Sequence, residues 1–136
     1  DVRSFGLNGR QAESALREAG MTLNRNSLPF DPNGPWYTSG LRIGTPALTT
    51  LGMGKREMKE VASIIALVLK NTKPVILTKG ENAGQPSKAR AVTEPGAREE
   101  AKERVLALLG RFVLYPQLDL QFLQTAFPLD KQGVEW

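Results

Sequence analysis

The chain is organised around two neighbouring stretches, NRNSLP at residues 24–29 and TSGLRIGTP at residues 38–46. In the second stretch Arg42 lies between Leu41 and Ile43. Successive side chains of a strand point to opposite faces, so a strand here turns Leu41 and Ile43 towards the core and Arg42 away from it. The pattern therefore predicts an arginine presented by a short strand.

The residues around Arg42 favour a binding role. Gly40 and Gly44 flank it and carry no Cβ, so we expect a ligand to approach the backbone closely here. Thr45 and Pro46 are typical of a helix start, with a hydroxyl cap and a proline at the first helical position. A guanidinium held in this way suits bidentate capture of a carboxylate or phosphate. The alternative is a solvated or structurally paired arginine.

The two stretches together resemble a known family. NRNSLPFDP at residues 24–32, followed by TSGLRIGTPA at residues 38–47, is similar to the C-terminal domain of serine hydroxymethyltransferase, also called glycine hydroxymethyltransferase. The resemblance covers about the first half of the chain well and continues more loosely to the end. Two linked motifs at the family's separation make it specific, which a lone SGLR would not be.

The resemblance implies a reaction and two binding residues. The family has the fold-type-I architecture of pyridoxal 5'-phosphate enzymes and interconverts serine plus tetrahydrofolate with glycine plus 5,10-methylenetetrahydrofolate. It implies that Arg42 holds the α-carboxylate of serine or glycine and that Asn26 lies by the folate pterin. It assigns no catalytic residue to this chain. At Leu51 many family members carry a basic residue, so a contact made by that residue is not expected here.

Length and motif content indicate one domain of a larger enzyme. The 136 residues, 40% of them hydrophobic, suffice for one compact domain over 1–136. Because the chain starts at Asp1, we expect an excised or processed piece, with the large cofactor-binding domain absent. We find no motif for the Schiff-base lysine, so the piece alone is expected to be inactive. The expected partners are its own N-terminal large domain and further copies, as a homodimer or homotetramer.

Composition excludes several kinds of site. The chain has neither cysteine nor histidine. It therefore lacks disulfides, the usual nitrogen and sulfur ligands of zinc and the commonest acid–base side chain, and we expect no metal site. There is no run of 18 apolar residues, so no membrane span or membrane partner is expected. The absence of cysteine is compatible with the cytosol, and we expect a cytoplasmic protein.

Two other functions are compatible with the charge balance. Lysine and arginine number 18 against 14 acidic residues, a net charge of +4. A small basic module that binds anions or nucleic acid is one alternative, and a structural or dimer-support domain without catalysis is another. The basic residues are interspersed with acids, as at residues 55–60 and 98–104, which is typical of solvated helix faces. We therefore expect no nucleic-acid partner.

The expected fold is a small α/β (α+β) domain: a short, mainly antiparallel sheet, formed near Val2, Leu23 and Leu41, with helices on one face. An Asn8–Gln11 capping box predicts a helix over residues 9–19. Apolar periodicity predicts further helices, and Pro/Gly punctuation predicts an exposed linker or loop over 71–94. The other helices are expected over residues 46–51, 55–70 and from 95, with a last short helix or wrap near 118–127.

Overall fold

The computed structural model describes residues 1–127. The predicted single domain over 1–136 thus includes residues 128–136, which lie outside the described residues. After a 3-10 turn at Arg3–Phe5, the elements in chain order are α1 (Gly9–Glu18), β1 (Asn24–Asn26), β2 (Gly40–Arg42), α2 (Pro46–Thr50), α3 (Lys55–Lys70), β3 (Thr72–Ile76), β4 (Pro86–Thr93), α4 (Pro95–Arg111) and α5 (Leu120–Ala126). The mixture of helices and short antiparallel strands confirms the predicted α/β class.

Helix α1 lies at the centre of the fold and contacts both strand pairs and α3. Its predicted capping box is present: the Asn8 side chain accepts from the Gln11 backbone N–H at 3.0 Å, and the Gln11 side chain accepts from the Asn8 N–H at 2.9 Å. Small residues on its inner face allow close approach of its neighbours. The buried apolar cluster around it comprises Val2, Leu7, Ala12, Ala15, Leu16, Ala19, Ile64, Val68, Leu69, Ala101 and Leu108.

Strands β1 and β2 form a two-stranded antiparallel ribbon. The sequence predicts part of the sheet near Leu23, but β1 begins only at Asn24, because Met21 and Leu23 belong to the connection from α1 and pack on the core. Val2 is not a strand residue either. Its backbone N–H donates to the Ser39 carbonyl at 3.0 Å, and the chain then enters the 3-10 turn.

The prediction of an exposed linker or loop over 71–94 is wrong for most of that segment. Strands β3 and β4 pair there as an antiparallel hairpin, with a register shift between Pro74 and Ile76. The buried hydroxyls of Thr72 and Thr93 lie 2.8 Å apart across it. The sheet has only two strands, so β3 is an edge strand, where a proline without a backbone donor is tolerated. Only the connection between the two strands, residues 77–85, is a loop.

The hairpin is anchored to the cap of α1. The Asn8 side-chain amide donates to the Lys88 carbonyl at 2.7 Å, and the Gln11 side-chain amide donates to the Ser87 carbonyl at 2.6 Å. One pair of side chains therefore caps a helix and holds a strand. A hydrophobic pattern in residues 71–94 cannot predict this contact, because the hairpin contributes only backbone carbonyls to it.

Helices α3 and α4 pack side by side, and ion pairs line their exposed seam. The Arg104 guanidinium donates to Glu60 at 2.8 Å, and Arg111 lies 3.2 Å from Glu57. The hydrogen bond to Arg104 lowers the pKa of Glu60. In residues 1–127, none of the helices has the length and apolar character needed to cross a membrane.

Candidate functional site

The β1–β2 ribbon gathers three polar side chains on one face. Asn24 pairs with Arg42 and Asn26 with Gly40, so the alternation of side chains places Asn24, Asn26 and Arg42 on the same face. Side chains directly opposite each other lie about 4.5–5.5 Å apart at Cβ, and diagonal neighbours about 7–8 Å apart. The long Arg42 side chain is therefore within reach of both amides.

This face is open to solvent. Asn24, Asn26 and Arg42 are all exposed. The Asn26 amide donates to the adjacent Ser27 carbonyl at 2.9 Å, and the Arg42 side chain makes no hydrogen bond or ion pair with any residue that the structure describes. The guanidinium and the amide oxygens are thus available to a ligand.

The other face of the ribbon fixes its orientation. Arg25 donates to the Glu13 carboxylate of α1 at 2.8 Å, and Leu41 packs against the core. Glu13 is largely buried. A partly buried pair of this kind orients the middle of β1, and the alternation along the strand then turns Asn24 and Asn26 outward.

The Thr38–Gly40 part of the second stretch is structural. These three residues are buried at the start of α1, where free backbone N–H groups need acceptors. The Gly9 N–H donates to the Thr38 carbonyl at 3.1 Å, and the Arg10 N–H donates to the Tyr37 carbonyl at 3.0 Å. The segment thus supplies hydrogen-bond acceptors to the first turn of α1 and leads into the strand that carries Arg42.

The glycines flanking Arg42 have roles other than the one expected. A Cβ on Gly40 would lie 2.7 Å from the Leu28 side chain and 3.0 Å from the Asn26 carbonyl oxygen. Gly40 is therefore required by packing within the protein and not by a ligand, which corrects the prediction. At Gly44 a Cβ would meet only Pro46, at an ordinary 3.8 Å. Close approach to the backbone is possible there, but no neighbour demands glycine.

Asp31 organises the loop between the two strands. Its carboxylate accepts hydrogen bonds from the backbone N–H groups of Leu28 at 3.0 Å, Asn33 at 2.9 Å and Ser39 at 2.7 Å, and from the Ser39 hydroxyl at 2.5 Å. Partial burial raises the pKa of Asp31, but the Ser39 hydroxyl and the three backbone donors outweigh it and lower the pKa from 3.8 to about 2. The ionised carboxylate holds the loop closed.

Some details expected around Arg42 are corrected. Ile43 is 52% exposed and does not face the core, because β2 ends at Arg42. Thr45 precedes α2, and Pro46 is at its first position as predicted, but the Thr45 side chain makes no capping bond. Trp36, which precedes β2, is 60% exposed in a turn.

The structure brings the two sequence-predicted binding residues, Asn26 and Arg42, to one face, and their ligand roles remain predictions. Sequence reasoning missed Asn24, which the register places opposite Arg42. It also missed Asp31 as the loop's anchor. The signal for Asp31 was available, since an aspartate within a Pro/Gly-rich loop commonly accepts from the backbone two residues on, as it does here from Asn33.

Comparison with known proteins agrees with the motifs. Residues 1–65 match the model of the serine hydroxymethyltransferase family. Proteins named serine hydroxymethyltransferase from Treponema pallidum, Chlamydia muridarum and Cutibacterium acnes are 58%, 52% and 50% identical over 93%, 90% and 86% of this chain. The chain spans only 21%, 24% and 23% of their respective lengths. On this similarity the chain belongs, as a segment, to the serine hydroxymethyltransferase family.

Proposed function

We propose that this chain is the C-terminal, substrate-binding part of a serine hydroxymethyltransferase. The whole enzyme would interconvert serine plus tetrahydrofolate with glycine plus 5,10-methylenetetrahydrofolate. The observation that carries the proposal is the shared open face of the ribbon, where Arg42 lies across from Asn24 and diagonal to Asn26. The family name of the relatives and the match over residues 1–65 support it.

Arg42 would bind the α-carboxylate of serine or glycine. A guanidinium presents fixed, parallel donors that match the two oxygens of a carboxylate. Holding the carboxylate orients the bonds at the amino-acid Cα, which converts binding energy into rate.

Asn26, with Asn24 beside it, would contact the folate pterin. A side-chain amide offers both donors and an acceptor, as the edge of a pterin ring does. Asn26 donates one amide N–H to the Ser27 carbonyl, so its amide oxygen and second N–H remain for a ligand. The Glu13–Arg25 pair behind the strand would keep both asparagines turned towards the ligand.

The described residues do not fit pyridoxal 5'-phosphate by themselves. The cofactor requires a lysine for its Schiff base and a carboxylate for its pyridine nitrogen. The lysines within residues 1–127 lie at the surface on α3, α4 and the β3–β4 hairpin, and none occurs between residues 24 and 46. We infer that a large N-terminal domain holds the cofactor and that this chain alone is inactive.

The proposal also covers the oligomeric state and the cellular location of the enzyme. We infer that the enzyme is a cytoplasmic homodimer or homotetramer in which this segment packs on its own large domain. The alternative of a nucleic-acid-binding module is disfavoured by the α3–α4 seam, where basic side chains such as Arg104 and Arg111 are paired with acids. Strong nucleic-acid binding depends on unpaired basic residues collected on one surface.

Kinetics of two variants of the full-length enzyme test the proposal. Arg42→Ala should raise the KM for serine by roughly 10- to 100-fold, as expected for loss of a charged hydrogen bond, and leave the KM for tetrahydrofolate nearly unchanged. Asn26→Ala should give the opposite pattern. If each variant changes the KM for serine and the KM for tetrahydrofolate to the same extent, the assignment of Arg42 to serine and of Asn26 to tetrahydrofolate is wrong.

A further inference from the structure

A second, strongly basic depression lies between α1 and β1, behind the ribbon face. Its volume is about 540 Å³ and its lining is almost wholly polar. The lining residues are Arg10, Glu13, Ser14, Arg17, Asn24 and Arg25. We refer to it as the arginine pocket.

The arginine pocket carries more positive than negative charge. Its three guanidiniums face a single carboxylate, that of Glu13. Glu13 lies 2.8 Å from Arg25 and 3.6 Å from Arg17. Arg10 makes no ion pair within residues 1–127, so the pocket retains an excess of positive charge that a ligand can neutralise.

Trp36 holds two of the three guanidiniums in place. The Arg10 guanidinium lies 5.1 Å from the centre of the Trp36 ring, and that of Arg25 lies 5.6 Å from it. Arginines stacked on an indole ring lose little conformational entropy when they bind a ligand. The stacking also explains why Trp36, which does not pack in the hydrophobic core, remains 60% exposed.

We propose that the arginine pocket binds a small molecule that carries at least two oxyanion groups, either phosphates or carboxylates. The guanidinium fork matches both groups. A volume of about 540 Å³ exceeds what one ion occupies and falls in the range of small-molecule sites. The site is separate from the carboxylate clamp proposed for Arg42, and Asn24 borders both.

Titration calorimetry of the full-length protein at constant ionic strength tests this site, with pyrophosphate and citrate as probes. At least one probe should bind, and the pattern distinguishes phosphate from carboxylate ligands. The double variant Arg10→Gln/Arg17→Gln leaves the Glu13–Arg25 pair intact and should weaken binding by about tenfold or more. The double variant Arg3→Gln/Arg98→Gln makes the same charge change outside the pocket and should bind as the wild type does.

The outcomes separate clearly. Failure of the wild type to bind either probe at millimolar concentration, or equal weakening by the two double variants, overturns the proposal.

The single variant Arg17→Gln replaces the double variant in this test if the double variant does not fold, since the Arg17 side chain is 66% exposed. A change in Trp36 fluorescence on binding, lost in Trp36→Phe, supports the site. The proposal is independent of the Arg42 assignment, since the serine KM should be unchanged in Arg10→Gln/Arg17→Gln.

Discussion

Asp31 and Ser39 are joined by two hydrogen bonds, since one carboxylate accepts both the Ser39 backbone N–H at 2.7 Å and the Ser39 hydroxyl at 2.5 Å. Ser39 is fully buried and immediately precedes β2. The bonds therefore fasten the loop after β1 to the strand that carries Arg42. The arrangement of the β1–β2 ribbon therefore depends on the ionised carboxylate of Asp31.

The first prediction concerns acid stability. The pKa of Asp31 is about 2 in the folded protein against an ordinary value of 3.8, so the unfolded state binds more protons between these values. The contribution of Asp31 to the free energy of unfolding is complete above pH 3.8 and is lost as the pH falls through about 2. Urea unfolding of the full-length protein at a series of pH values measures this loss.

Asp31→Asn is the control for this effect, because Glu57, Glu60 and Glu99 also have lowered pKa values. The amide has one acceptor oxygen where the carboxylate has two, so the variant should be less stable at neutral pH. The difference from the wild type should narrow as the pH falls. A difference that stays constant down to pH 2 would contradict the role given to the ionised carboxylate.

The second prediction separates the two glycines beside Arg42. Gly40→Ala brings a methyl group against Leu28 and the Asn26 carbonyl, and should lower the free energy of unfolding by about 1–3 kcal/mol. Gly44→Ala is the matched control, because its nearest new contact is at an ordinary distance, and it should change stability by about 0.5 kcal/mol or less.

A double variant identifies the cause of the Gly40 effect. If the Leu28 side chain is the obstacle, Leu28→Ala should cost less in the Gly40→Ala background than in the wild type. Chemical unfolding of the four proteins completes this cycle. Additive losses would mean that the Asn26 carbonyl, not Leu28, excludes the methyl group.

The third prediction concerns the hairpin anchor. Asn8→Asp keeps a good N-cap for α1 but removes the amide donor to the Lys88 carbonyl. Backbone amides of β3 and β4 should therefore exchange faster with deuterium, while those of α1 should remain protected. Asn8→Ala should increase exchange in both elements and lower the free energy of unfolding by about 0.5–2 kcal/mol.

Gln11→Glu provides an independent check on the same anchor. It keeps the acceptor for the Asn8 N–H and removes the donor to the Ser87 carbonyl. It should reproduce the hairpin effect of Asn8→Asp. Wild-type exchange rates in β3 and β4 for both variants would show that other contacts hold the hairpin.

Local sequence signals predicted the helices well. The capping box at Asn8 and Gln11 fixed the start of α1, and apolar periodicity fixed α3 at Lys55–Lys70. Both signals act within one or two turns of the chain, so neighbouring residues contain all that is needed. Arg42 in a short exposed strand followed from the same local alternation.

Features set by distant contacts were not predictable in this way. The β3–β4 hairpin depends on a register shift at Pro74 and on carbonyls held by Asn8 and Gln11, far away in the sequence. Asn24 joined the candidate site only through its pairing with Arg42. The spacing of residues cannot reveal which strand partner a side chain faces.

The most direct measurement compares the affinity of the full-length enzyme for serine and for serinamide, in which a neutral amide replaces the carboxylate. If Arg42 binds the carboxylate, the wild type should prefer serine by roughly 10- to 100-fold, and Arg42→Gln should abolish this preference with little change in serinamide affinity. Arg3→Gln, with the same loss of charge at a distant site, should retain it. An Arg42→Gln enzyme that still prefers serine as strongly as the wild type does would contradict the account.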